Sequence, residues 1–358
     1  KIMAYTTIDN PELYFQAKLY TGTGSEQAIT LDGDENMQPD FVWVKCRSNA
    51  ENHVIHDSVR AATKVLHSDT TDAEYAVAQG LKSFGSDGFT LGTSNFMNQS
   101  TRTFVAWCWK ANGTGSSDTN GTINTAATSA NTTAGFSIVS YTGNASSSQT
   151  VGHGLGAVPQ CIFSKNRDNT SSNYNDWIVY HHKNSSANDK KFKLNTNDAV
   201  STTNEWGDTD PTSTVYSVHT SGDGATNDGT DKIVSYVWTG IQGFSKFGTY
   251  KGNGNANGPF IYCGFKPALV IFKGAASNRE WILADNKRDP GNEVDAVLYG
   301  NTTDAEGDSD MVDFYATGFK FRHATGPGTI NTDGETYIYL AFAHAPTVSS
   351  NGVPGNAR

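Results

Sequence analysis

Nine histidines, four cysteines and a spread of carboxylates are the residues of this chain with chemistry to offer. Their spacing argues against most of it. His181 and His182 are adjacent in "VYHHK", so on a strand they point to opposite faces and do not share one metal. His153 sits in the loop-like "GHGLG", and His53, His56 and His67 fall at strand or strand-end positions. Cys46, Cys108, Cys161 and Cys263 each lie in an apolar run ("VWVKC", "VAWCWK", "PQCIF", "FIYCGF") with no Cys-x-x-C and no Cys/His pair at zinc spacing. They read as buried thiols, with a Cys46–Cys108 bridge as the weaker alternative. Gly-x-Ser-x-Gly, the P-loop and His-Glu-x-x-His do not occur. "GTGS" and "GNGNANG" read as hairpin turns, because no helix follows whose N-terminus would hold a phosphate.

Glycoside hydrolysis needs two facing carboxyls, about 5–5.5 Å apart for retention and about 6.5–9.5 Å for inversion. No strand carries such a pair. The acidic run "GDSDMVD", with Asp308, Asp310 and Asp313, is flanked by turn residues and matches no calcium loop. No catalytic residue, metal or cofactor is therefore expected. Two aromatics in polar loops remain as glycan-stacking candidates, Trp206 in "TTNEWGDTDPTS" and Tyr174 in "SSNYND". Trp206 has a structural reading too, since Tyr75 in "DAEYAV" occupies a comparable place after a Glu.

The elements that position these residues come three times. Tyr20, Tyr141 and Tyr250 each open a Tyr-x-Gly turn, 121 and 109 residues apart. A proline strand follows each: Pro39 before "DFVWVK", Pro159 before "QCIFSK", Pro267 before "ALVIFK". Proline lacks a donor and suits a strand start, and runs apolar at nearly every residue suit strands covered on both faces. Next come "HVIHDSV", "DWIVYHH" and "EWILADN", then "TTDAE" at Thr70 and Thr302 with "NTNDA" at Asn195 between them. Thr-x-x-Glu has capping-box spacing, so one helical turn or a tight polar loop is expected there. "TFVAWCWKA", "KIVSYVWTG" and "TYIYLAFAHA" close the copies. A period above 100 residues is the size of a β-sandwich, not of a solenoid repeat.

The fold class read from this is all-β: three tandem antiparallel β-sandwiches of jelly-roll type, at 4–113, 134–242 and 243–346. The small-residue stretch 114–133 reads as a linker and 347–358 as a tail. The 358 residues include 36 glycines and only 17% charged residues, which fits a turn-rich β protein. A net charge of −10 without a lysine/arginine cluster argues against nucleic acid. No apolar stretch approaches 18 residues, so no membrane span is expected, and "MAYTTIDNPELYF" carries no signal-like pattern.

"PDFVWVKCRS", "HDSVR", "TTDAE", "SDGFTLG" and "VAWCWKANG" in the first copy resemble a repeated β-domain of virion proteins from marine tailed phages. "HGLGAVPQCIFSKNR" in the second copy and the C-terminal "NGVPGNAR" are similar to the same pattern. The third copy departs from it, with "IYCGFK" for "HGLG" and "ATGF" for "SDGF", so no ligand site carries over. The resemblance implies a non-enzymatic virion surface protein, of tail-fibre, appendage or head-decoration type. It implies assembly in the host cytoplasm, other virion proteins as partners, a homo-oligomer such as a trimer, and contact with host surface polysaccharide. A polysaccharide depolymerase and a free-standing carbohydrate-binding module are the rival readings.

Overall fold

The computed structural model describes residues 5–168, 175–220, 226–276, 278–326 and 329–353. Within them the regular structure is almost entirely antiparallel β, with one α-helical turn at Asn95–Asn98 and 3-10 turns at Pro11–Leu13 and Ala187–Asp189. One strand order recurs three times: opening, closing, proline strand, then the strand that follows it. In the first copy these are Phe15–Thr21, Thr103–Trp109, Phe41–Cys46 and Val54–Asp57. In the second they are Phe136–Thr142, Lys232–Trp238, Cys161–Asn166 and Ile178–His181. In the third they are Ser245–Lys251, Thr336–Pro346, Phe265–Gly274 and Ile282–Asp285. A smaller sheet faces each main sheet in the first two copies, while in the third the main sheet runs on into its outer strands as eight strands.

The Tyr-x-Gly turn is fixed by packing. Tyr20, Tyr141 and Tyr250 hydroxyls donate to Met97, Thr226 and Ile330 carbonyls at 2.8, 2.6 and 2.8 Å. A Cβ on Gly22, Gly143 or Gly252 would lie 2.2–2.6 Å from a backbone oxygen, so any side chain there displaces the chain. Asn98, Asn227 and Asn331 accept the next amide, from Thr23, Asn144 and Asn253.

The copies are not independent beads. In the first copy Val42, Val44 and Cys46 face its own small sheet, while Phe41 and Trp43 enter a core that also holds Phe163, Tyr236 and Trp238 of the second copy and Phe342 of the third. Trp109, Trp238 and Phe342 stand at the same place in the three closing strands. The Trp109 ring lies 6.4 Å from Trp238 and 5.3 Å from Phe342. Coverage on both faces is why these strands are apolar throughout.

One expectation changes. The stretch 114–133 is not a free linker: Ala127–Asn131 pairs with the opening strand of the second copy and widens its sheet, and Ile123 is buried beside it. Small hydroxyl residues have enough β-propensity when an unpaired edge is offered. Of the two readings of "TTDAE", the tight polar loop is the one that forms, with Thr70 and Thr302 hydroxyls donating to Asp72 and Asp304. The end of the chain returns to its start, Ser350 donating its amide to Asp9 at 2.6 Å.

Candidate functional site

Titratable side chains are concentrated at three seams between copies, and the seams repeat one another. The lysine that closes each proline strand is buried and bonded to two carbonyls, one in its own copy and one in the next. Lys45 reaches Glu51 and Thr303 at 2.6 and 2.9 Å. Lys165 reaches Asn175, and Thr71 at 3.0 Å. Lys273 reaches Arg279 and Asp198 at 2.6 and 2.8 Å. The first copy thus grips the third, the second grips the first, and the third grips the second. Burial pulls Lys165 and Lys273 down to about 8.

Two further contacts run in the same cyclic sense. The His53, Trp177 and Trp281 rings hydrogen-bond the carbonyls of Tyr299, His67 and Lys193 at 2.8, 2.7 and 2.8 Å. The amides of Glu306, Glu74 and Val200 donate to Arg47, Arg167 and Ala275. Seams that run head to tail and meet after three steps make a closed ring.

Buried ion networks lock two of the seams. Arg60 binds Asp57 at 2.5 Å and Glu74 at 3.1 Å; Arg167 holds the same Glu74 in a fork, and the Tyr236 hydroxyl donates to Asp57 at 2.6 Å. Arg288, Asp285, Glu306 and Arg47 repeat this at a second seam, with the Trp107 indole donating to Asp285 at 3.0 Å. Burial raises the Glu74 and Glu306 carboxyls, but hydrogen bonds and charge from the arginines outweigh it and leave both below their ordinary values. The third seam replaces Arg and Glu by Ala275 and Val200, and Asp57 by His181.

This arrangement suits holding rather than reacting. A general acid needs a raised pKa and access to substrate, whereas Glu74 and Glu306 are held ionised by guanidinium groups. Burial pushes Asp69 up to about 7, an acid catalyst's range. Its Oδ1 accepts the His53 amide, and Asn195 and Asn301 accept the Trp177 and Trp281 amides from the same place, so this position is architectural. Burial pulls His56 and His181 down to about 3, leaving neutral rings bonded to Ala62 and Tyr339 carbonyls. Among the described residues no three His, Cys, Asp or Glu side chains converge to hold a metal ion. The four cysteines are buried and unbridged, so the Cys46–Cys108 alternative is set aside; burial pushes Cys263 up to about 12, an unreactive thiol at neutral pH.

Trp206 is not a ligand platform. It is 1% exposed, its ring packs edge-on against Tyr180, and its indole donates to the Lys190 carbonyl at 3.1 Å. Its loop folds back into the second copy's own core. The match to Tyr75 does not hold, because Ser201 stands at the place of Tyr75 and Tyr75 is exposed. Tyr174 lies outside the described residues. Asp313 is buried on a strand, its Oδ2 held by Tyr315 and Arg322.

The exposed aromatics lie elsewhere, Tyr75 and Phe96 on the first copy and a group of three on the third. Phe260, Tyr262 and Tyr315 are 48, 52 and 38% exposed, Phe260 meets Tyr315 edge-on at 6.0 Å, and the Lys246 ammonium sits 5.3 Å over Tyr262. "FIY" reads as an ordinary short strand, and only its place at the end of an eight-strand sheet exposes the rings. The seam lysines did have a sequence signal, one residue type at one position in all three copies.

A family model for a domain of unknown function, DUF7483, matches residues 10–346, from the first copy through the third. The chain belongs to that family. No curated protein matches it. The DUF7483 match spans all three copies, as the ring does. No helix among the described residues is long and apolar enough to cross a membrane.

Proposed function

We propose that this DUF7483 chain is a non-enzymatic building block of a virus particle, displayed on its surface as an appendage or decoration, and that it contacts host glycans. The observation that carries this reading is the closed ring: buried lysines, arginines and carboxylates are spent on holding three β-units together. Its resemblance to repeated β-domains of tailed-phage virion proteins supports the particle assignment. The ring supplies within one chain what a trimer would supply between chains, so the mass expected in solution is that of one chain, 38.4 kDa. Phe260, Tyr262 and Tyr315 stand beside Tyr174 as glycan-stacking candidates in place of the buried Trp206, since every sugar ring has an apolar face for an aromatic.

The test is peptide mass spectrometry and antibody labelling of purified particles from the virus that encodes the chain. A stoichiometric, labelled surface component supports the assignment, and presence only in the soluble lysate overturns it. Turnover of host polysaccharide by the purified chain would favour the depolymerase reading instead.

A further inference from the structure

Three opening strands occupy equivalent places, each at one side of its closing strand, and their outer edges have three different fates. Hydrogen bonds at the ends of the first-copy pair fix which backbone groups point outward. Gly22 N–H donates to Arg102 at 2.8 Å and Lys110 N–H to Tyr14 at 3.0 Å. Even-numbered residues of that strand therefore bond the closing strand, and Phe15, Ala17 and Leu19 turn their N–H and C=O groups away from it. The second copy has the same phase, set by Gly143 to Asp231 and Thr239 to Gly135. There the outward groups of Phe136, Ile138 and Ser140 meet the added strand Ala127–Asn131, with Ala126 N–H donating to Ser140 at 2.7 Å. In the third copy Ser245 donates its amide to Ile241, and the Phe247 carbonyl accepts from His182 Nε2 at 3.0 Å.

The first copy's edge is open. Among the described residues no hydrogen-bond partner stands opposite the outward groups of Ala17 and Leu19. Beside Ala17 lies a cavity of about 250 Å³, lined by the apolar Phe15, Ala17, Ala268 and Ala343 and by charged groups that include Asp32 and Lys287. Its origin is a difference in side-chain size. Ile138 and Phe247 fill the corresponding places in the other copies, and Ala17 does not. Unpaired strand edges recruit strands, and a buried backbone amide calls for a partner.

We propose that the Phe15–Thr21 edge is a docking site for one extended strand of a partner polypeptide, added antiparallel as Ala127–Asn131 is added to Phe136–Thr142. The partner strand carries small or hydroxyl residues and one β-branched apolar side chain opposite Ala17, where it enters the cavity. Main-chain hydrogen bonds would give the affinity and the cavity the choice of side chain. Thr21 marks the end of the site, its carbonyl being taken by the Gln27 side chain at 3.2 Å.

The probe is a peptide of residues 124–133 carrying Ser129→Val, since Ser129 pairs with Ile138 and so stands opposite the place of Ala17. It is titrated to millimolar concentration into the full chain, and amide hydrogen exchange is read by mass spectrometry. The expected result is exchange slowed at least tenfold over Phe15–Thr21. The effect should vanish with a peptide N-methylated on its edge-facing amides, and in an Ala17→Ile chain whose cavity is filled. No slowing, equal slowing by the N-methylated peptide, slowing that survives Ala17→Ile, or slowing confined to Phe136–Thr142 would each overturn the proposal.

Discussion

Asp69 shows how one residue can be out of step with its two counterparts. In the second and third copies an asparagine at this position also donates its side-chain amide to an acid, Asn195 to Asp176 and Asn301 to Glu280. In the first copy the types are exchanged, with Asn52 at the acid's place in sequence, and Asp69 Oδ2 is buried without a partner. Burial raises this carboxyl from 3.8 to about 7, so the folded state prefers its proton. The stability it contributes is full below about pH 4 and lost as pH rises through 7. Asp69→Asn should therefore leave the melting temperature at pH 4 nearly unchanged and stabilise the chain at pH 8 by about 1–2 kcal/mol. Equal effects at both pH values, in thermal melts across that range, would contradict the cause given. Lys165→Met strips two buried carbonyls, Thr71 and Asn175, of their donor, and should cost about 2 kcal/mol in denaturant melts. A cost near zero would mean that water or a neighbour replaces the ammonium.

Between elements, the seams differ in what they tolerate. Glu74→Val strands Arg167 and weakens the hold on Arg60, for an expected loss of about 3–5 kcal/mol. Adding Arg167→Ala copies the Val200/Ala275 pair of the third seam and should recover at least half of that loss, because Arg60 keeps Asp57. Strict additivity in a double-mutant cycle would show that the two side chains act separately. At this scale the sequence was most legible: the proline strands, the Tyr-x-Gly turns and the all-β class all follow from local chemistry. The added strand Ala127–Asn131 was hidden because its residues gain a structure only from the edge they meet. Trp206 misled for a related reason, since polar neighbours in sequence say nothing about the sheet onto which a loop folds. The Arg47–Glu306 and Arg167–Glu74 pairs lie in quoted repeats but about 259 and 93 residues apart, and no local pattern joins them.

For the whole molecule, the shared core means that one copy cut from the ring bares Phe41, Trp43, Trp107 and Trp109 together. Calorimetry of the full chain should show a single transition, with calorimetric and van't Hoff enthalpies agreeing. A fragment of residues 5–113 should fail to give a cooperative melt and should aggregate through its exposed rings. Three separate transitions, or a soluble fragment that melts cooperatively, would restore the independent-domain picture that the tandem repeats first suggested. Light scattering belongs at this scale too: a single-chain mass is expected, and three times that value would mean the internal ring does not replace an external one.

Covalent closure also frees the three seams from having to be alike. A ring of three identical subunits must carry every substitution three times and offer every surface in triplicate. Here one seam has alanine and valine for arginine and glutamate, one strand edge is filled by its own chain, one is capped by a histidine, and one is open among the described residues. The molecule keeps the mechanical benefit of threefold packing while each of these surfaces is presented once rather than three times.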